Sequence, residues 1–152
     1  MIVVEPARAA DFGAVAALLE ANHLPTAGLS GDLAHAVVAR ENDGLVGCAE
    51  LELYTGGVLL RSVAVDERLR GRGIGARLTA AALAHARANG APAAFLLTTT
   101  AGAFFPRFGF ERITRDEVPA DIRQSIEFTS ACPASATVMR ADLRGTPLRR
   151  AE

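Results

Sequence analysis

Glycines at positions 71, 73 and 75 alternate with Arg72 and Ile74, directly after Arg70. They stand where an apolar run, residues 59–65, gives way to a long Ala-rich stretch with helical spacing. Glycine carries no side chain to keep a ligand off the main chain, and it takes left-handed backbone conformations at little cost. Successive N–H groups in such a segment can point into one concavity, reinforced by the positive end of the helix that follows. A nest of this kind suits a pyrophosphate, and the guanidinium groups of Arg70 and Arg72 can add charge-assisted hydrogen bonds. The chemistry predicted first is therefore the binding of a diphosphate-bearing ligand.

Three classes of phosphate loop compete. A nucleoside-triphosphate loop needs Gly-Lys followed by Ser or Thr, and every basic residue of this chain is Arg. A dinucleotide fingerprint is matched formally by Gly71-x-Gly73-x-x-Ala76, but the acid expected about 20 residues on is missing from residues 91–96. That loop should also open a β-α-β unit, whereas here it follows a run of strands joined by short turns. The third class is an acyl-coenzyme A loop.

Groups able to move protons or grip an acceptor lie on the strands before the loop. Glu50, Glu52 and Tyr54 alternate along residues 45–54 and so share one strand face. If that face lines a cleft, a carboxylate there can accept a proton from an ammonium group, directly or through water. Otherwise it is a solvated face. Arg61 interrupts the apolar run 59–65, where burial without a counter-charge is costly. It either meets Glu50 or Glu52 inside the protein or points toward an anionic substrate, for which its planar fork is well suited. His23, His35 and His85 have no metal-ligand spacing, and Cys48 and Cys132 are too few for a metal framework, so no metal is expected. Both cysteines are read as buried structural residues.

The elements that must place these groups follow from periodicity and turn chemistry. Residues 2–4 read as a first strand. Asp11 should cap a helix that ends near His23, and Ser30 a short second helix over 31–35. Strands follow at 36–41, 45–54 and 58–65, separated by turns at Asn42-Asp43-Gly44 and Thr55-Gly56-Gly57. A long helix follows Gly75, runs to about Asn89 and is ended by Gly90 and Pro92. A buried strand at 93–99, a short helix over 102–107, a strand at 110–113, a short helix from Pro119 to Ser125 and a last strand at 136–143 complete an α+β order.

At 152 residues the chain is expected to be one domain over 1–143 with a loose tail at 144–152. Half its residues are apolar and 22% are charged, a globular balance, and its net charge of −1 argues against a nucleic-acid face. Glu5 and Arg8 stand where a signal peptide would carry its apolar core. No apolar run approaches the ~20 residues needed to cross a bilayer. The expected location is the cytoplasm, with no membrane partner.

Arg70-Gly71-Arg72-Gly73-Ile74-Gly75 resembles the acetyl-CoA loop, Q/R-x-x-G-x-G/A, of the GNAT (Gcn5-related) N-acetyltransferases. Ala101-Gly102-Ala103-Phe104-Phe105-Pro106-Arg107-Phe108-Gly109-Phe110 resembles a second family element, A-x-x-F-Y-x-x-x-G-F. The resemblance implies the GNAT fold: a mixed, mostly antiparallel sheet with helices on both faces and a splayed central strand pair. It implies acetyl-CoA as co-substrate, held by Val63, Ala64 and Val65 through their backbone, by Arg70, Gly71, Arg72, Gly73, Ile74 and Gly75, and by Phe104 and Arg107. Phe105 stands where many members place a Tyr that protonates the leaving thiolate. Ser62, Thr98, Thr99, water or no acid at all must then serve. Glu50, Glu52 and Thr98 are the catalytic candidates.

Within the family, Leu60-Arg61-Ser62-Val63-Ala64-Val65 and the Phe104-Phe105 pair resemble the short N-acetylglutamate synthases. Leu24-Pro25-Thr26, Leu97-Thr98-Thr99-Thr100 and the C-terminal Val118–Ala136 region resemble the arsenic-resistance N-acetyltransferase group. The implied acceptor is a small amine, the α-amine of a glutamate-like amino acid or of its arsenical or phosphinic mimic. Arg61, Ser62, Thr99, Arg123, Cys132 and Ser135 are the substrate-binding candidates, and a homodimer suits the fold. The alternatives are acetylation of a peptide, a protein N-terminus or an antibiotic amine, or acetyl-CoA binding without catalysis.

Overall fold

The computed structural model describes residues 1–99, 102–125, 128 and 135–144. Its strands are β1 (Ile2–Pro6), β2 (Ala36–Glu41), β3 (Gly44–Tyr54), β4 (Gly57–Val65), β5 (Ala93–Thr98), β6 (Glu111–Ile113) and β7 (Thr137–Asp142). They are hydrogen-bonded in the order β1-β2-β3-β4-β5-β7-β6. Four neighbouring pairs, β1 with β2, β2 with β3, β5 with β7 and β6 with β7, are antiparallel. β4 and β5 form a parallel pair that joins Val58 to Ala94 and Leu59 to Phe95. The helices are α1 (Phe12–Ala21), α2 (Ile74–Ala88) and the single turn α3 (Ala120–Arg123). The mixed, mostly antiparallel sheet is the one the sequence predicts. By contact the chain divides into two compact units, Met1–Glu52 with Leu60–Ala82 and Leu53–Leu59 with Leu83–Glu152.

In the first unit the β2–β3 turn is tighter than predicted. Asn42 and Asp43 both take left-handed φ, 53° and 70°, and Gly44 already pairs with Glu41 as part of β3. Two left-handed residues of this type give the turn whose twist matches its strands. Val15 and Leu19 of α1 pack with Leu33, Val38, Cys48 and Ala64 in a core cluster. Gly47 lets that layer close, since a Cβ there would stand 2.8 Å from Leu78 Cδ1 and 3.2 Å from the Ala64 carbonyl oxygen.

Two local expectations fail in this unit. Asp11 precedes α1, but its carboxylate makes no cap bond to the helix. It accepts instead from the Arg8 amide at 2.8 Å and from both terminal nitrogens of Arg40 at 2.9 and 2.7 Å. The nearly buried guanidinium is the stronger partner, and its hydrogen bonds bring the Asp11 carboxyl down to about 2. The helix predicted over 31–35 is a pair of turns. Asp32 Oδ1 takes the Ser30 hydroxyl at 2.7 Å and the Ala34 amide at 3.1 Å, a local bonding pattern that competes with helix. Leu33 adopts φ 52° there and is buried.

In the second unit α2 ends in the predicted glycine cap. Gly90 has φ 78°, its amide donates to Arg87 O at 3.0 Å, and the Ala91 amide reaches back to Ala86 O at 3.1 Å. The core cluster joins Leu59, Ala93, Phe95, Val118, Ile122 and Val138. Residues 102–104 form turns that lead into a short 3-10 helix, Phe105–Phe108, where an α-helix over 102–107 is predicted. Pro106 near its start has no amide to donate, and Gly109 at φ 92° ends it after one turn.

Two substitutions test this account. Gly57 sits at φ 148°, and an added Cβ would lie 2.5 Å from the Ala93 carbonyl oxygen. Gly57→Ala is expected to cost about 2–4 kcal/mol and to lower Tm by roughly 5–15 °C, read by calorimetry. Asp11→Asn is expected to destabilise by roughly 1–3 kcal/mol at pH 7. Because the folded-state value lies below the ordinary 3.8, the Asp11 contribution is complete above that ordinary value and disappears as pH falls toward 2. Denaturant titrations of wild type and Asp11→Asn should converge across that window.

Candidate active site

β4 changes character at Ser62. Leu60 and Arg61 are buried, whereas Ser62, Val63 and Val65 are partly exposed and Ala64 between them is covered. Ser62 has φ 60°, a left-handed conformation that a residue with a Cβ seldom takes within a strand. Its carbonyl accepts from Cys48 Sγ on β3 at 3.2 Å, and its hydroxyl from Arg61 Nε at 3.1 Å. Burial, with the Glu50 charge as a lesser cause, pushes the Cys48 thiol up to about 12. At neutral pH it is a hydrogen-bond donor and not a nucleophile.

Beyond β4 the Asp66 amide donates to Val46 O at 2.7 Å, and the Asp66 carboxylate takes Arg68 through its amide (3.0 Å), Nε (3.1 Å) and Nη2 (2.7 Å). Those bonds hold the Asp66 carboxyl down at about 2. They set a 3-10 turn, Glu67–Leu69, that delivers Arg70. Gly71 follows at φ 86° and Gly73 at φ 78°, and α2 begins at Ile74. A Cβ added at Gly71 or Gly73 would meet nothing of the protein within 4 Å. The glycines thus serve backbone conformation and leave the space above the main chain open. Gly75 lies in the first turn of α2, its carbonyl taking the Thr79 hydroxyl at 2.8 Å, and buried Ile74 anchors the helix start. Arg72 is exposed. Arg70 donates to the Asn22 side-chain oxygen just past α1. Leu18, Ala21, Asn22, Asp66, Glu67 and Arg68 line an adjoining depression of about 270 Å³.

Glu50, Glu52, Arg61 and Ser62 come together. The Arg61 side chain is 0% exposed, with Nη1 2.9 Å from Glu52 Oε2 and Nε 3.8 Å from Glu50 Oε1. Its Nη2 donates to the carbonyls of Ala27 at 2.7 Å and Pro25 at 3.4 Å. Glu50 Oε2 accepts from the Ser30 amide at 3.2 Å. The β3 face is therefore not a solvated one, and the guanidinium assigned to substrate meets internal acceptors, because a covered cation must be satisfied by protein. The Glu50 side chain is 3% exposed and that of Glu52 20%, so Glu52 is the carboxylate that water can reach.

The remaining assigned residues belong to the second unit. Thr98 ends β5 opposite Thr137, partly buried, and Thr99 is exposed in the bend that follows. Arg107 turns back on Phe104, Nε donating to its carbonyl at 3.1 Å and the guanidinium lying 4.8 Å from its ring centre. Phe105 is buried edge-on against Phe110, with ring centres 5.8 Å apart. Arg123 ends α3 and Ser135 lies in a turn, both exposed. Cys132 lies outside the described residues, as do Thr100 and Ala101. Sequence reasoning missed the Cys48 contact to Ser62, the Asn22 contact to Arg70 and the two loop carbonyls on Arg61. Only the isolated charge at Arg61 signalled any of these.

A family model described as acetyltransferase (GNAT) domain matches residues 32–112, more than half of the chain. No curated protein matches. Among solved structures, the N-acetylglutamate synthase of Neisseria gonorrhoeae complexed with coenzyme A and N-acetyl-glutamate superposes with a TM-score of 0.80 at 23% identity. That match covers 95% of this chain but 36% of the synthase, so the chain spans about a third of that relative. Rv2747 of Mycobacterium tuberculosis, in complex with CoA, matches with a TM-score of 0.75 at 26% identity over 92% of this chain and 98% of its own. The PaiA N-acetyltransferase of Thermoplasma acidophilum, in complex with coenzyme A, gives 0.69 at 13%, covering 93% and 99%. With the family model spanning β2 to β6 and the Gly-rich turn between them, the chain belongs to the GNAT acetyltransferase family.

Proposed function

We propose that this protein transfers the acetyl group of acetyl-CoA to the α-amine of a small, glutamate-like amino acid. The observation that carries the reading is the left-handed main chain at Gly71 and Gly73, open above and placed at the start of α2. Amides of that turn would hold the coenzyme diphosphate, with Arg72 beside them and Arg70 exchanging its Asn22 contact for a phosphate oxygen. This open turn is the feature of the structure that fits the coenzyme.

The neutral amine attacks the thioester carbonyl, its nitrogen gives up a second proton to water, the tetrahedral oxyanion collapses, and the carbon–sulfur bond breaks to give the amide and CoA thiolate. Main-chain N–H groups of Val63 and Val65 are the donors proposed for the oxyanion. Glu52, reachable by water, takes the ammonium proton through one solvent molecule. No proton can come from Phe105, and Thr98 or water returns one to the thiolate. The acidic acceptor is supported by the motifs shared with N-acetylglutamate synthases and by the N-acetyl-glutamate bound to the Neisseria enzyme. Arg61 is covered, and Arg123, the other arginine among the substrate-binding candidates, is exposed and is the one proposed for the acceptor's acid group. An arsenical or phosphinic glutamate mimic presents the same charge pattern, and the arsenic-resistance motifs support such an acceptor.

A thiol-release assay over a panel of amino acids, glutamate mimics, peptides and aminoglycosides tests the acceptor. Turnover is expected with glutamate or a mimic, and turnover confined to peptides or aminoglycosides would refute the acidic acceptor. Titration calorimetry tests the loop, since Gly73→Ala is expected to stay folded yet to weaken CoA binding by about 10-fold or more. Glu52→Gln is expected to lower kcat by roughly 100-fold.

A further inference from the structure

We infer that Cys48 and Arg61 are positioning residues of the transfer site: together they hold Ser62 left-handed, and so set the direction of the Val63 and Val65 amides. The inference rests on the reading that Val63–Val65 receives the thioester. Serine gains nothing from φ 60° by itself, because its Cβ crowds the neighbouring carbonyl. Something must hold it there.

Two contacts do so, and their side chains are enclosed. Cys48 Sγ donates to the Ser62 carbonyl at 3.2 Å, holding the segment from the β3 side. Arg61 Nε donates to the Ser62 hydroxyl at 3.1 Å. Cys48 is buried and its thiol stays protonated, so this donor survives at every physiological pH. Arg61 is immobilised in turn by Glu52, Glu50 and the carbonyls of Pro25 and Ala27.

Directions follow from strand alternation. The Asp66 amide directly after β4 donates to Val46 O on β3 at 2.7 Å, so by alternation the amides of Val65 and Val63 leave β4 on its other edge. A slip at Ser62 into ordinary extended geometry would exchange those directions and withdraw the proposed oxyanion donors. The same guanidinium that fixes Ser62 ties down the 25–30 loop, which is held a second time by the Ser30 amide on Glu50. One buried ion cluster thus fixes both the reactive strand and the loop beside it.

The test compares the full-length wild type with Cys48→Ala, Cys48→Ser, Ser62→Gly and Ser62→Val by steady-state kinetics per folded molecule and by amide hydrogen exchange without substrate. Cys48→Ala should lower kcat about 5- to 10-fold with KM for acetyl-CoA within about 2-fold, and Cys48→Ser, which keeps a donor, should recover most of the loss. Ser62→Val, stiff at its branched Cβ, should lose about 10-fold more kcat than Ser62→Gly. Exchange at Val63–Val65 should quicken in Cys48→Ala by about 10-fold. Wild-type kcat and unaltered exchange in Cys48→Ala, with only Tm lowered, would overturn the inference and leave Cys48 a packing residue. A wild type that fails to bind CoA would instead overturn the proposed function, and the exchange comparison would still decide whether Cys48 and Ser62 form a lock.

Discussion

A guanidinium with none of its side chain exposed has to find all its partners within the protein, and Arg61 sets that constraint for the first unit. Its acceptors come from three places: carboxylates of β3, carbonyls of the 25–30 loop and the hydroxyl of its own neighbour. Removing one partner of such a cluster leaves a charge uncompensated, which costs far more than the pair contributes when intact. The cluster therefore acts as a unit. Lysine could not replace it, since a single ammonium cannot present donors along both edges of a plane.

Much of this fold was legible in the sequence because the features concerned are local. The Asn42-Asp43 turn and the Gly90 cap follow from residues that tolerate left-handed φ, and the Gly71–Gly73 turn from spacing that few other functions require. Where the sequence misled, a distant partner decided the outcome. Asp11 has the chemistry of a helix cap, yet Arg40, remote in sequence, offers its carboxylate a charged fork. Leu33 sits in a stretch with helical signals, but packing against Val15 and Leu19 fixes it in a turn. Of the candidate site, the loop and the union of Glu50 and Glu52 with Arg61 could be anticipated. The left-handed state of Ser62 could not, since serine in an apolar strand carries no mark of it.

Left-handed backbone occurs here in two ways that serve opposite ends. At Gly71 and Gly73 it costs nothing, nothing of the protein crowds the missing Cβ, and the main chain is left open to solvent. At Ser62 it costs about 1–2 kcal/mol. The bonds from Cys48 and Arg61 each contribute about 0.5–1.5 kcal/mol net, an amount that matches the cost without greatly exceeding it. Glycine at 62 would remove the strain, but it would also remove the hydroxyl that takes Arg61 Nε. The covered guanidinium would then lose one of its acceptors, and the backbone at 62 would be free to take several conformations. Serine makes the kink conditional on the buried cluster. The direction of the strand amides, a property of the backbone, is thereby under the control of two side chains, Cys48 and Arg61, neither of which is exposed.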